Sequence, residues 1–504
     1  MNPDCTTLIL GPPGTGKTTR LMSQLDKVFR SYSPRSVCFI SFTKKAANEA
    51  LERACQRFDL YEDDLPLFRT LHSLAFEFLH LRRNNIMNPS DYYALAKETG
   101  TSISFDSFDA YGMPEGRHMG NLLLSVISQS KIREMSLKDA WTKYGDQVDY
   151  DELVEFDEKL SYYKLLNNKM DFDDVIQEYA NSGTVPSLHV LFIDEAQDLS
   201  SIQWRMAEKL ALKANEVFLA GDDDQSIYEW AGADVQHFIK LQGRVETLGR
   251  SWRVPPRIKE VSNRIIERIS ERREKSWESV GEEQGEVEYI RSPLELIDEI
   301  REGQWLLMAR TNGLLRDYEE MCIEAGVFYR YAHKAKDFKE LVLAVRTWQT
   351  LRSGGLAVGR RVKLLYSLMS SVERVKHGIK SKVNAMEDNG VFTIKQLKDD
   401  YGLLCSDLDW ADALDRITDS DRDYMERALE VDDISEPRIT ISTIHGAKGG
   451  EADNVVLLSD MGLNAYNAMI DNEDAEHRVW YVGVTRAKKK LYICEPSTQY
   501  IYDL

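Results

Sequence analysis

A chain of 504 residues with 43% hydrophobic residues and nine tryptophans can bury two or more cores, and its length suggests about three or four domain-sized units. Its formal charge of -19, from 64 basic and 83 acidic side chains, excludes a protein that coats nucleic acid through bulk positive charge but permits one focused site. No run approaches the roughly 20 apolar residues of a membrane span, no secretory signal opens the chain, and the six cysteines lack metal-ligand or disulfide spacing, so a cytoplasmic protein with small core cysteines is expected.

In chain order, Thr6 to Leu10 is a short apolar run that meets a glycine-rich turn at Gly11, and a second buried-type run, Val37 to Phe42, follows an intervening helical pattern. From Leu79 to Pro186 the pattern turns helical, with Leu153, Phe156, Leu160 and Tyr163 at helical spacing. The runs His189 to Ile193 and Glu216 to Ala220 each end in acidic residues, as strands of a parallel sheet do when they deliver side chains at their carboxyl ends. After Arg253 the cycle begins again with Val287 to Ile290, Trp305 to Met308, Ile439 to Thr443, Asn454 to Leu458 and Leu491 to Cys494. A polar stretch interrupts this second half from Gly354 to Pro437. It carries a basic patch (Arg374, Lys376, Lys380, Lys382) and aspartates from Asp399 to Asp433, and reads as a solvated helical subdomain, with a DNA or partner contact as the alternative. The expected fold is α/β, with two parallel-sheet cores that each carry a mainly helical insertion. The expected boundaries are 1–78 and 187–255 for the first core around an insertion at 79–186, and 256–353 and 438–504 for the second around an insertion at 354–437.

Gly11-Pro12-Pro13-Gly14-Thr15-Gly16-Lys17-Thr18 fits the phosphate-loop pattern GxxxxGK[ST] and sits between a predicted strand and a predicted helix, which Thr19 continues. The glycines let backbone N–H groups close around phosphates, Lys17 reaches the β and γ oxygens, and the Thr18 hydroxyl can ligate Mg²⁺. Asp194-Glu195 ends an apolar strand, which suits Asp194 to hold Mg²⁺ and Glu195 to orient and deprotonate the attacking water. Phosphoryl transfer also needs positive charge from an arginine, for which Arg253 and Arg486 are the candidates.

Several further motifs occur in order: Thr43-Lys-Lys-Ala-Ala47, Thr70-Leu-His72-Ser73, Asp171-Phe-Asp-Asp174, Asp194-Glu-Ala-Gln-Asp198, Gly221-Asp-Asp-Asp-Gln225-Ser-Ile-Tyr228-Glu-Trp230 and Ser251-Trp252-Arg253. Arg310-Thr-Asn312, Thr443-Ile-His445-Gly-Ala-Lys448-Gly449-Gly-Glu451 and Tyr481-Val-Gly-Val-Thr485-Arg486-Ala487 follow. This series resembles the UvrD/Rep type of superfamily 1 DNA helicase, in a compact form, from Gly11 to Ala487. The resemblance implies two RecA-like P-loop domains with ATP between them, on the loop residues 11–19. Gln225 would sense the γ-phosphate, Arg253 and Arg486 would contact it from the second-domain side, and Glu451 would lie near the nucleotide sugar. Trp252 stands where the family usually has a tyrosine packed on adenine, and keeps the stacking face. Thr43, His72, Tyr228, Trp230, Arg310, Asn312, Thr443 and His445 would line a single-stranded DNA path followed 3′ to 5′.

The implied cofactors are ATP and Mg²⁺. The implied partners are single-stranded DNA and single-strand/duplex junctions, with replication or repair proteins and no membrane, acting as a monomer or weak oligomer. Stacking a base on an aromatic ring is worth about 1–3 kcal/mol, and opening a duplex step costs about 1.4 kcal/mol. Gripping a freed base on Tyr228 or Trp230 thus nearly offsets opening one pair, leaving ATP to impose direction. Two other readings stay open: a translocase that displaces proteins from single strands with little unwinding, and a DNA-binding accessory factor that uses ATP as a switch.

Overall fold

The computed structural model describes residues 1–104, 107–108, 114–115, 118–332, 339–371, 373–431 and 437–504. The chain forms two compact units, Met1–Glu282 with Asn472–Val482, and Glu283–Asp471 with Gly483–Leu504.

The first unit is built on a six-stranded parallel sheet: β1 (Thr6–Leu10), β2 (Val37–Ile40), β3 (Phe68–Arg69), β4 (Val190–Ile193), β5 (Glu216–Gly221) and β6 (Arg244–Thr247), in the order β3-β2-β4-β5-β1-β6. The central strands are continuous apolar runs because both faces are covered, and the two-residue period of a strand sorts alternate residues to opposite sides. Leu8, Leu10, Cys38, Ile40, Leu191, Ile193, Val217 and Leu219 enter one core, shared with the helices Leu71–Phe78, Phe172–Ser182 and Ser201–Ala211. Ile9, Val37, Phe39, Val190, Phe192, Phe218 and Ala220 enter the other, against Lys17–Val28 and Lys44–Phe58. On that face Phe68, Phe39, Phe192 and Phe218 form a stacked row with centroid spacings of 5.2, 5.9 and 4.9 Å. Such pairs add about 0.5–1.5 kcal/mol each beyond their buried area.

Four helices, Pro89–Thr99, Met119–Ile132, Leu137–Tyr144 and Tyr150–Asn167, make a separate small core in which Leu153, Phe156 and Leu160 are buried and Tyr163 is partly so. The Asp171 motif ties this core to the sheet. Asp171 caps the helix Phe172–Ser182, and Lys131 and Lys164 from the neighbouring helices pair with both Asp171 and Asp174. Residues 256–282, expected in the second core, lie in the first unit. Lys275 and Arg272 reach back to buried aspartates beyond β5, and an uncompensated buried charge is costly enough to fix where this segment folds.

The second unit has its own six-stranded parallel sheet: β7 (Glu286–Ile290), β8 (Trp305–Ala309), β9 (Tyr329–Tyr331), β10 (Ile439–Thr443), β11 (Ala452–Leu458) and β12 (Ala487–Cys494), in the order β7-β12-β11-β8-β10-β9. The stretch from 354 contributes helices Gly359–Ser367, Lys380–Asn384, Ile394–Asp400, Trp410–Ala413 and Asp419–Val431, and an antiparallel pair, Ala357–Val358 with Val391–Phe392. It is not a separate solvated subdomain. Leu365, Val375, Leu397, Leu403, Leu414 and Met425 join the same continuous core as Trp305, Leu307 and Ile441, so its apolar residues pack with the sheet. The basic patch is partly consumed internally, with Arg374 donating to the Asp412 carbonyl (2.9 Å) and Lys382 to that of Asp400 (2.8 Å). Asp432 and Asp433, at the end of the aspartate run, lie outside the described residues.

Four cysteines, Cys38, Cys322, Cys405 and Cys494, are core residues as expected; Cys5 and Cys55 are only half-buried. Among the described residues no helix is long and apolar enough to cross a membrane.

Candidate nucleotide and nucleic-acid site

Because all six strands of the first sheet are parallel, their carboxyl ends share one edge, and the chemistry-bearing residues of this unit follow those ends. After β1 the loop turns at Gly14 (φ 71°) and Gly16 (φ 82°), a region glycine enters without strain. Gly16 is the N-cap of the helix Lys17–Val28 and has no side chain to accept from its first N–H groups, which leaves them for an anion. Lys17 Nζ donates to the Gly11 carbonyl (3.0 Å) and lies 3.8 Å from Glu195 Oε1. Pro12 and Pro13 are buried, the Thr15 hydroxyl donates to the Pro12 carbonyl (2.7 Å), and Thr19 is exposed on the first helical turn. Loop, lysine and helix N-terminus together fit a polyphosphate.

Beyond β4, Asp194 Oδ2 accepts from the Thr18 hydroxyl at 2.7 Å, bringing together two oxygens that could be among the ligands of a divalent cation. Burial and the adjacent Glu195 push the Asp194 carboxyl up to about 6, against the pull of Thr18 and Lys17. Glu195 adopts a left-handed backbone (φ 54°), uncommon for a residue with a Cβ, and its Oε2 accepts from Gln197 Nε2 at 2.6 Å. Beyond β5, buried Gln225 donates through Nε2 to Asp222 Oδ2 (2.7 Å).

Ser251, Trp252 and Arg253 are latched onto the phosphate loop. Ser251 Oγ donates to the Pro13 carbonyl (2.6 Å) and the Trp252 N–H to that of Gly14 (3.0 Å). A Cβ at Gly14 would lie 2.4 Å from Arg253 Cβ. Arg253 therefore belongs to the same unit as the loop, which corrects the expectation of a contact from the second-domain side. Trp252, 71% exposed, lines a cavity of ≈ 380 Å³ with Thr15, Thr247, Leu248, Gly249, Arg250 and Glu278.

Thr43, His72, Tyr228 and Trp230 follow β2, β3 and β5 at the same edge. Thr43 caps the helix Lys44–Phe58, its hydroxyl accepting from the Ala46 N–H (3.2 Å). His72 lies edge-on to Phe172 (5.8 Å), and burial lowers its pKa, which favours the neutral ring. Tyr228 stacks on Phe42 (5.5 Å), while Trp230 stays 61% exposed, its carbonyl accepting from Gln129 Nε2 (3.1 Å).

In the second unit, Arg310 follows β8, and Thr443 ends β10, whose registers pair Ala309 with Thr443. Asn312 opens the turn Asn312–Leu315, and His445 lies in the turn whose Gly446 N–H donates to Thr443 Oγ1 (3.1 Å). Arg486 is buried, donating to the Gly450 carbonyl and Thr485 Oγ1 (each 3.3 Å), and Glu451 pairs with Lys488 (2.7 Å).

Residues 2–246 match the UvrD/REP helicase N-terminal domain, and residues 424–497 the UvrD-like helicase C-terminal domain. The chain belongs to the UvrD/Rep helicase family. It is thus an ATP-hydrolysing enzyme of the DNA helicase class. It is similar to the ATP-dependent DNA helicase PcrA of Bacillus subtilis, at 24% identity over 67% of this chain and 50% of that protein. PcrA of Staphylococcus epidermidis is 24% identical over 98% of this chain and 82% of its own length. A probable DNA helicase II homolog of Rickettsia felis is 23% identical over 98% and 91% respectively. The Staphylococcus comparison runs over 611 positions against 504 residues here, so that relative carries segments with no counterpart in this helicase-family chain.

Sequence reasoning missed a second set of residues in the first unit. Lys275, Arg272 and the Arg273 N–H converge on Asp222, Asp223 and Asp224. Arg478 donates to the Asp223 carbonyl (2.9 Å) and to Glu229 Oε1 (3.1 Å). One signal could have found them: three consecutive carboxylates directly after an apolar strand require cations from elsewhere.

Proposed function

We propose that this protein is an ATP-driven motor that moves 3′ to 5′ along single-stranded DNA and separates the duplex ahead of it, in DNA repair, recombination or replication. The observation that carries the reading is that Lys17, Thr18, Asp194, Glu195, Gln225 and Arg253 sit on one sheet edge that also bears Thr43, His72, Tyr228 and Trp230. A sheet that reads both nucleotide and track at one edge can transmit a change at either to the other.

In this reading the phosphates lie on residues 11–19, with Lys17 neutralising the β and γ oxygens and Trp252 and its cavity taking the base. Thr18 and Asp194 hold Mg²⁺, which supplies charge neutralisation for phosphoryl transfer. Glu195 orients the attacking water and takes its proton, its strained backbone fixing the carboxylate beside Lys17. Gln225 reads the γ-phosphate, and Arg253 and Arg486 stabilise the charge that grows on it, a contribution of about 10³–10⁵ in rate for an arginine finger. Glu451 serves the sugar. Arg310, Asn312, Thr443 and His445 extend the DNA path onto the second sheet. We keep 79–186 and 354–437 as the two insertions, with the chain acting as a monomer or weak oligomer at single-strand/duplex junctions beside repair or replication proteins.

The test is ATP hydrolysis with and without single-stranded DNA, together with unwinding of duplexes tailed at either end. DNA-stimulated hydrolysis and unwinding from the 3′ tail alone is the expected result; unwinding from the 5′ tail overturns the polarity. A second reading, translocation with little unwinding, is favoured by the absorption of the 354–437 stretch into the second core. It predicts stimulated hydrolysis with no strand separation. Hydrolysis indifferent to DNA would leave only an ATP-switched binding factor.

A further inference from the structure

Asp222, Asp223 and Asp224 follow β5 directly, and each is at most 1% exposed. Three consecutive carboxylates in a protein interior stay ionised only beside cations with good geometry. Arg272 grips Asp224 with two parallel bonds, Nε to Oδ1 at 2.8 Å and Nη2 to Oδ2 at 2.6 Å. Lys275, whose side chain is 1% exposed, places Nζ 2.9 Å from Asp222 Oδ1 and 3.0 Å from Asp224 Oδ2, and pairs with Asp223 as well. The Arg273 N–H completes the set by donating to Asp223 Oδ2 at 2.7 Å.

The lysine is one atom pair away from a residue of the hydrolytic set. Asp222 gives Oδ1 to Lys275 and Oδ2 to Gln225 Nε2. An ionised carboxylate can only accept hydrogen bonds, so it must meet the NH₂ end of the Gln225 amide, and the planar group then turns its carbonyl end away from Asp222. A neutral carboxyl at the same place could donate or accept, and the amide could sit either way round. Burial alone would raise the Asp222 pKa; Lys275, chiefly, reverses this and holds it below the usual carboxylate range. The carboxylates in turn hold the Lys275 pKa above its usual value despite burial.

We propose that Lys275 is a positioning residue for ATP hydrolysis, acting through Asp222 to fix which end of the Gln225 amide faces the terminal phosphate and attacking water. The inference rests on the reading of Gln225 as the γ-phosphate sensor. Lys275 touches no substrate, and it sets a geometry rather than supplying a charge to the reaction.

The test separates this role from plain neutralisation of the aspartates. K275M with D223N leaves the net charge of the cluster unchanged but takes the cation from Asp222. Asp223 is the partner to neutralise because burial raises its pKa. The expected result is a DNA-stimulated kcat about tenfold to a hundredfold lower, with ADP affinity and thermal midpoint close to wild type and KM little changed. K275R, which keeps the cation, should recover most of the loss. In a Q225A background the K275M/D223N pair should add no further loss, as expected for residues acting as one unit. D222N, which leaves the lysine in place, reads the same step and should show the same fall in kcat if the paired variant is unstable. Wild-type kcat in K275M/D223N or D222N, alongside a depressed Q225A, overturns the inference alone. Wild-type kcat in Q225A overturns the reading of Gln225 and the inference with it.

Discussion

The two units treat their expected functional residues differently. In the first, residues far apart in sequence already touch: Thr18 on Asp194, Lys17 beside Glu195, Ser251 on the phosphate loop. In the second, Thr443 accepts from Gly446, Arg486 donates to Thr485 and Gly450, and Glu451 pairs with Lys488 on the neighbouring strand, so each of these residues is engaged within its own unit. A site assembled within one sheet edge should bind nucleotide with little rearrangement, whereas Arg486 is packed as a structural side chain and has contacts to surrender before it can serve a nucleotide. The first unit is therefore expected to govern binding, and Arg486 to govern turnover.

That contrast can be broken or sharpened by substitution. The largest effect belongs to E195Q, which should lower DNA-stimulated kcat by about 10³-fold while nucleotide binding persists, as for loss of a general base; a coupled hydrolysis assay and a fluorescent-nucleotide titration read the two halves. R486K keeps the buried charge but loses the fork geometry, and should cost about 10²-fold in kcat with ADP affinity unchanged. A collapse of ADP affinity in R486K would erase the distinction between the units. W230A should weaken single-stranded DNA binding by about 1–3 kcal/mol with an unchanged salt slope, since stacking and not charge is removed. Fluorescence anisotropy at several salt concentrations would reveal a changed slope if that is mistaken.

Two further effects concern the first unit alone. Burial and the neighbouring Asp171 push Asp173 up to about 7, above its unfolded value. The unfolded chain releases this proton first, so stability should fall between about pH 4 and about pH 7 and level off above, by on the order of 4 kcal/mol. D173N should flatten that slope in denaturant titrations run across the range; an unchanged slope would place the pH dependence elsewhere. W252A should cost about 1 kcal/mol in ATP affinity, about fivefold, through lost stacking and area, with kcat held. Measured by titration, a fall in kcat instead would mean that the latch on Gly14 had been disturbed.

Much of the site was legible because a parallel strand announces itself as an apolar run and its functional residue follows at a fixed offset. Lys17 and Asp194 were read in that way, whereas the role of Gln225 came only with the family resemblance. The strands Phe68–Arg69 and Arg244–Thr247 were not: one has two residues, and the other is largely exposed and lacks an apolar run. The placement of 256–282 and of Asn472–Val482 was also hidden. It depends on Lys275 and Arg478 meeting aspartates and carbonyls about 50 to 250 residues away, and no local periodicity encodes a partner at that distance. The 354–437 stretch misled because its apolar residues alternate with charged ones in short segments, and they reach a core only when folded together.

The bonds from Ser251 and Trp252 to the carbonyls of Pro13 and Gly14 have a mechanical meaning. They weld the stem of Arg253 to the backbone of the glycine-rich loop, so loop and arginine backbone travel as one solid piece. A pair of distance probes across that weld should report the same separation whichever nucleotide is bound. Arg253 then acts as a fixed benchmark of the site, and any timing signal in the cycle has to come from parts that are free to shift against it.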